Sequence, residues 1–440
     1  MPEQTLAPKT AQKTHVPKRI AAVIINSLKG GVVPRIGLPY ITVGREKEIQ
    51  AFLTDLDLIQ NGGASFRFLV GRYGAGKSFL LQTIRTHAMG QDFVVADADL
   101  SPERRLQGGQ GQGLATYREL IRNLSTKTRP EGGALNLVLE RWARAIGDDE
   151  QALAEQLGPL EEMVHGFDFA RMLRRYRQAS AEGDEQTLSA VTRWLRGEYR
   201  TKTEARADLG CSTIITDEDW YDYIKLLARF LVGAGYKGLL VMIDELVNLY
   251  KIPNAVTRQY NYEKILTMYN DTLQGKAHNL GIIMGGTPQS IEDRRRGVYS
   301  YEALRSRLAQ GRFAQEGMTD MLAPVIHLQP LTHEELLVLI EKLADIHAGY
   351  FGYARTITTE DLVRFLQIEF GRVGAESHLT PREVIRDFIE LLDIMCQNPN
   401  ASVTELLQSE AFSQIVTTVE DAGTSGAVPD VDQRFAEFTI

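Results

Sequence analysis

The sequence predicts an α/β fold: a five-stranded parallel sheet with a large helical insertion and a helical lid after the last strand. Three observations lead there. Five short apolar runs, residues 66–70, 93–96, 239–243, 281–284 and 325–328, have the length of strands and the apolar character of strands buried on both faces. Helical stretches separate them, which implies right-handed crossovers with helices on both sides of the sheet. A glycine-rich loop follows the first run and opens a helix.

The elements follow in order. Residues 1–17 are polar and proline-containing and read as a flexible lead, and helical spacing of apolar residues begins over 20–28. A Gly/Pro-rich connector over 30–39 leads to Ile41-Thr42-Val43-Gly44-Arg45-Glu46. A helix follows, with Ile49, Phe52, Leu53, Leu56 and Leu58 as its apolar stripe. About 140 residues separate the second and third runs, too many for a structureless loop in a compact domain. Residues 135–146, 167–176, 187–199 and 220–231 are the clearest helices of that insertion. After the fifth run, Thr332 caps a new helix with Glu335 three residues on. Helices continue to about Cys396, and residues 421–432 read as a mobile tail.

Bulk properties narrow the function classes. At 440 residues the chain suits two or three structural units, and its 43% hydrophobic and 24% charged content is ordinary for a globular protein. Cys211 and Cys396 are too few and too far apart for a disulfide framework or a zinc site. The N-terminus lacks the apolar region of a secretory signal, and no run approaches the roughly 18 apolar residues of a membrane span, so a cytoplasmic protein with no membrane partner is expected. A net charge of −8 argues against indiscriminate nucleic-acid binding but leaves room for a local basic groove.

Gly71-Arg72-Tyr73-Gly74-Ala75-Gly76-Lys77-Ser78 matches G-x-x-x-x-G-K-[ST] in full, between a strand and a helix as that motif requires. Its glycines let backbone N–H groups wrap phosphates, Lys77 reaches the β- and γ-phosphates, and Ser78 is a ligand for Mg²⁺. Phe79, the next residue of the helix, is counted with the loop in contacting the nucleotide. The ligands expected are therefore ATP and Mg²⁺.

The third strand ends in Asp244-Glu245. Asp244 is placed to hold Mg²⁺, through water or through Ser78, as a hard oxygen ligand. Glu245 is the candidate base for the attacking water. Either acid can instead serve as a helix cap. The fourth strand runs into Gly285-Gly286-Thr287-Pro288, and Thr287 stands where a polar side chain sits beside the γ-phosphate. The alternative for Thr287 is a turn residue before Pro288.

Together these pieces resemble the AAA+ P-loop ATPase superfamily near its Cdc6/Orc-like and STAND-like branches, over roughly residues 41–395 without the insertion. The resemblance implies that Val43, Gly44 and Arg45 belong to a box contacting adenine and that Thr287 is the first sensor. In Leu379-Thr380-Pro381-Arg382-Glu383 it makes Arg382 the second sensor, and before the fifth strand it makes Arg305 or Arg307 the arginine finger offered to a neighbour's ATP. Ordinary solvated arginines are the alternative at all three positions. The implied organisation is a lead and N-terminal helix over 1–40, an ATPase core over 41–331 with its insertion at about 105–232, a lid over 332–400, and a C-terminal helix and tail over 401–440. At finer grain the chain is similar to ATP-binding proteins of bacteriophage exclusion (BREX) and related bacterial defence systems. The residues behind this are Val94-Val95-Ala96-Asp97-Ala98-Asp99-Leu100-Ser101-Pro102-Glu103, Gly235-Tyr236-Lys237-Gly238-Leu239-Leu240 and Met284-Gly285-Gly286-Thr287-Pro288. One departure is that only about 45 residues follow Cys396, too few for the C-terminal winged helix common in the Cdc6/Orc-like branch.

The resemblance implies a homo-oligomer with helicase, nuclease or methylase partners. DNA is a further candidate partner, through Arg171, Arg174, Arg175 and Arg177 of the insertion or Arg294-Arg295-Arg296 after the fourth strand. A solvated helix face or a surface for an acidic partner is the alternative. Two functions compete: an ATP-hydrolysing motor or loader in anti-phage defence, and a nucleotide-gated scaffold with slow or no hydrolysis. A small-molecule kinase is disfavoured by the sensor-like residues and the lid.

Overall fold

The computed structural model describes residues 15–309, 320–371 and 380–408. Arg45–Gln329 forms one compact unit, and the described residues on either side of it form another.

The sheet of the first unit has strands β1 Ala64–Val70, β2 Val94–Asp99, β3 Leu239–Asp244, β4 Leu280–Gly286 and β5 Val325–His327. Their order is β2-β3-β4-β1-β5, and every pair is parallel. All five expected runs are strands with ends shifted by up to three residues, Phe93 and Leu328 falling just outside β2 and β5, and β4 intervenes between β1 and β3. Side chains alternate between two cores, as the pleat dictates. Phe66, Phe68, Val70, Val94, Ala96, Val241 and Ile243 face the insertion. Leu69, Val95, Leu240, Met242 and Ile283 face α3 (Glu46–Gln60) and α4 (Lys77–Gly90). Gly281 is needed on β4 because a Cβ there would meet Ile59 Cδ1 of α3 at 2.6 Å. Arg67 of β1 is buried yet satisfied, donating from Nε and Nη2 to the Asp55 carboxylate at 2.8 Å each.

Seven helices lie between β2 and β3: α5 Gln112–Arg122, α6 Leu135–Ile146, α7 Glu150–Glu161, α8 Gly166–Glu182, α9 Glu185–Leu195, α10 Lys202–Leu209 and α11 Trp220–Gly233. They bury the chain's three tryptophans, whose indole N–H groups are satisfied: Trp142 by Gln156 Oε1, Trp194 by the Thr213 carbonyl, Trp220 by the Leu106 carbonyl. The helix expected over 187–199 stops at Leu195, since Gly197 takes φ 68° and turns the chain. The first unit continues with α12 Val247–Tyr250, α13 Ala255–Leu273, α14 Pro288–Glu292 and α15 Glu302–Leu308.

The second unit joins the two ends of the described chain. Helices α1 Lys18–Lys29 and α2 Leu38–Ile41 pack with α16 His333–Phe351, which also contacts α17 Thr359–Gly371 and α18 Pro381–Gln397; α19 Val403–Gln408 packs on α17. Thr332 and Glu335 form a capping box at the start of α16, as their spacing predicts. Lys29 of α1 pairs with Asp393 of α18 at 2.5 Å, and Asp393 also accepts from His347 of α16 at 3.1 Å. No helix among the described residues is long and apolar enough to cross a membrane. The expected tail over 421–432 lies outside the described residues.

Candidate functional site

The loop between β1 and α4 is built from conformations that its glycines permit. Gly74 and Gly76 take φ 80° and 93°, and a Cβ at Gly76 would meet nothing within 4 Å, so backbone conformation rather than crowding calls for glycine there. Gly71 is packed against Leu328 and Ala75, and its N–H donates to the Gly286 carbonyl of β4 at 3.1 Å. Helix α4 starts with glycine as its cap residue, no side-chain cap and no acid in its first turn. Its N-terminal N–H groups are thus left for an anion. Lys77 folds over the loop, Nζ donating to the carbonyls of Gly71 at 3.0 Å and Arg72 at 3.2 Å. Ser78 is exposed at the start of α4, Phe79 is half-buried behind it, and Tyr73 stands out on the loop with its side chain largely exposed. Arg45 is buried and donates to the Ala75 carbonyl at 3.3 Å while pairing with Glu48 at 3.5 Å, bracing the loop from behind.

Asp244 closes β3, one strand away from β1 across β4. Burial pushes its carboxyl above the usual carboxylate range, opposed by the Glu245 N–H donated to Oδ1 at 2.8 Å, with the Glu245 carboxylate adding to the rise and the Lys77 ammonium opposing it. Gly285 of β4 makes the room: a Cβ there would lie 2.1 Å from Asp244 Oδ1. Glu245 is exposed and takes φ 63°, a left-handed conformation that costs a residue with a Cβ about 1–2 kcal/mol. Backbone strain of this kind clusters at functional sites, and here it falls on an exposed acid next to a half-buried one.

Asp99 was not singled out by sequence reasoning. It ends β2 in register with Asp244, and its carboxyl is raised by burial first, then by the charges of Asp244 and Asp97. The usable signal was an apolar run ending in an acid, as in β3. Its pairing with β3, about 145 residues on, is not local information. Gly285 was quoted only as part of a motif, and its role as a cradle emerges from the β3–β4 register.

The other expected residues are placed as follows. Thr287 caps α14, its hydroxyl accepting the Ser290 N–H at 3.2 Å within a capping box. This is the turn-type role that sequence left as the alternative. Arg305 and Arg307 lie on α15; Arg305 pairs with Glu302 at 3.7 Å, and Arg307 donates to the Ala303 carbonyl at 2.7 Å. Val43, Gly44 and Arg382 belong to the second unit. Gly44 takes φ 65°, and a Cβ there would strike the Glu335 carboxylate; Arg382 is exposed in the first turn of α18. On α8, Arg171, Arg174 and Arg177 pair with Asp168, Glu161 and Glu150, and Arg175 donates to the Leu209 carbonyl, so internal partners occupy that basic stripe.

The fit to a nucleotide rests on these observations. Uncapped α4 N–H groups, a lysine inside the loop and a desolvated carboxylate one strand away suit a triphosphate and a divalent ion. No cluster of three or more His, Cys, Asp or Glu able to hold a metal occurs among the described residues. Mg²⁺ is typically held by one or two carboxylates together with substrate phosphates and water, so the lack of such a cluster does not bear on the residues expected to hold it, Asp244 and Ser78. A family model described as BREX system ATP-binding protein BrxC/D matches residues 16–411. No curated protein matches the chain.

Proposed function

The chain belongs to the family of BREX system ATP-binding proteins BrxC/D, and from that premise we propose that it is an AAA+ ATPase, hydrolysing ATP to ADP and phosphate. The single observation that carries this reading is the strained, exposed Glu245 directly after the half-buried Asp244, in a chain with a complete phosphate-loop motif. ATP supplies the phosphoanhydride bond and Mg²⁺ the charge that draws its oxygens together. The N–H groups of Gly74 to Ser78 bind phosphate oxygens, and Lys77 exchanges its carbonyl partners for them. Ser78 and Asp244 hold the metal and its water; the desolvation that raises the Asp244 carboxyl is relieved by a cation. Glu245 accepts the proton of the attacking water at its carboxylate, and Asp99 adds a second acid at the same edge. Arg305 or Arg307 serves a neighbouring copy in a homo-oligomer. The ATP-driven change is exerted, with helicase, nuclease or methylase partners of the defence system, on DNA.

A second reading, a nucleotide-gated scaffold with slow or no hydrolysis, is favoured by Thr287, whose hydroxyl oxygen is already engaged in capping α14. The test is phosphate release by the wild type and Glu245→Gln with Mg²⁺-ATP. The ATPase reading expects Glu245→Gln to bind ATP and lose turnover by about 10²–10⁴-fold. Equal and negligible release from both proteins would favour the scaffold.

A further inference from the structure

The loops leaving β3 and β4 are tied into one surface. Arg296 donates to the Ile252 carbonyl at 3.2 Å and stacks over the Tyr250 ring, and Arg258 donates to the same carbonyl at 2.7 Å. The Tyr250 hydroxyl donates to Asp293 at 3.2 Å and accepts from Gln289 at 3.1 Å. An open groove of about 580 Å³ follows the second of these loops, lined by Pro288, Gln289, Glu292, Asp293, Arg294 and Arg295.

The groove lining holds two arginines and two carboxylates, and they differ in how they are engaged. Arg294, Arg295 and Lys251 are exposed and form no ion pair among the described residues. The nearby carboxylates keep their charge but take their hydrogen bonds from other groups. Asp293 accepts the backbone N–H groups of Arg295 at 2.6 Å and Arg296 at 3.1 Å, which hold its carboxyl below the usual range. Glu292 pairs with His327 at 2.6 Å. The α8 arginines have internal partners, so Arg294 and Arg295 are the better phosphate ligands of the two arginine clusters. This surface continues directly from the ends of the strands that carry Asp244, Glu245 and Thr287, which places it where ATP turnover is felt.

We propose that Arg294 and Arg295, with Lys251, bind the sugar-phosphate backbone of DNA in a sequence-independent way. This rests on the reading that the protein works on DNA. Backbone binding by cations releases counterions, with a slope in log salt of about 0.9 per phosphate contact on duplex DNA.

The test is fluorescence anisotropy with a labelled duplex and its single strand, from 50 to 200 mM salt, on the full chain and on Arg294→Gln/Arg295→Gln. Thermal melting establishes that the variant is folded. Wild type is expected to bind with salt-dependent affinity, and to lose about 12-fold more affinity than the variant over that fourfold rise in salt, the equivalent of two contacts. Its DNA-free ATP turnover should equal that of the variant. A variant with wild-type affinity and slope overturns the surface and leaves the DNA reading standing. No binding of either DNA by wild type overturns both. Equal competition by poly-glutamate reassigns the surface to an acidic protein, and reduced DNA-free turnover in the variant reassigns the arginines to a neighbour's nucleotide.

Discussion

Glu245→Gly separates the catalytic from the structural meaning of one residue. At φ 63° a glutamate gives up about 1–2 kcal/mol that glycine does not, while the greater freedom of glycine in the unfolded chain returns about 0.5–1 kcal/mol. The backbone N–H donated to Asp244 is kept by either residue, and the exposed side chain packs against nothing that its removal would empty. The variant should therefore be as stable as the wild type or up to about 1.5 kcal/mol more so, a rise of at most several degrees in melting temperature for a unit of this size. Its ATP turnover should fall by about 10²–10⁴-fold. Thermal denaturation and phosphate release, on one preparation, read both. A variant that melts well below wild type would mean that the side chain is structural. One that turns ATP over at the wild-type rate would mean that the water is activated elsewhere, and either result refutes the reasoning.

Gly285→Ala should cost at least tenfold in Mg²⁺-dependent turnover, because the new Cβ cannot coexist with the Asp244 carboxylate at 2.1 Å; a metal titration of phosphate release measures it. Asp244→Asn bears on the raised carboxyl: a group with a raised folded-state pKa contributes stability below its ordinary value near 3.8 and loses it as pH rises through the raised one. The metal-free variant should then melt higher than wild type at neutral pH and alike in strong acid, as a pH series of melts would reveal.

The legible part of the fold was local. The five apolar runs needed only their own composition, and α6 was read to its ends because Leu135, Val138, Leu139, Trp142 and Ile146 all point inward. Helix α10 was missed because only Ala205 and Leu209 of its eight residues are buried, leaving almost no apolar period to detect. Helix α7 was missed despite the Asp149 cap that accepts the Ala152 N–H, since only Leu153, Leu157 and Leu160 mark its buried side. The phosphate-loop motif was complete in sequence because its eight residues are contiguous. Asp99 and Gly285 were not, because their meaning comes from strand register between segments far apart in the chain. The association of α1 with α16 and α18 likewise depends on contacts such as Lys29 with Asp393, which no local pattern encodes.

The central claim, that the loop from Gly71 to Ser78 holds ATP, is tested most directly by calorimetric titration of Mg²⁺-ATP into the wild type and Lys77→Ala. The account predicts saturable binding of one nucleotide per wild-type chain and at least tenfold weaker binding by the folded variant. Equal binding by the two proteins, or no binding by the wild type, would contradict it.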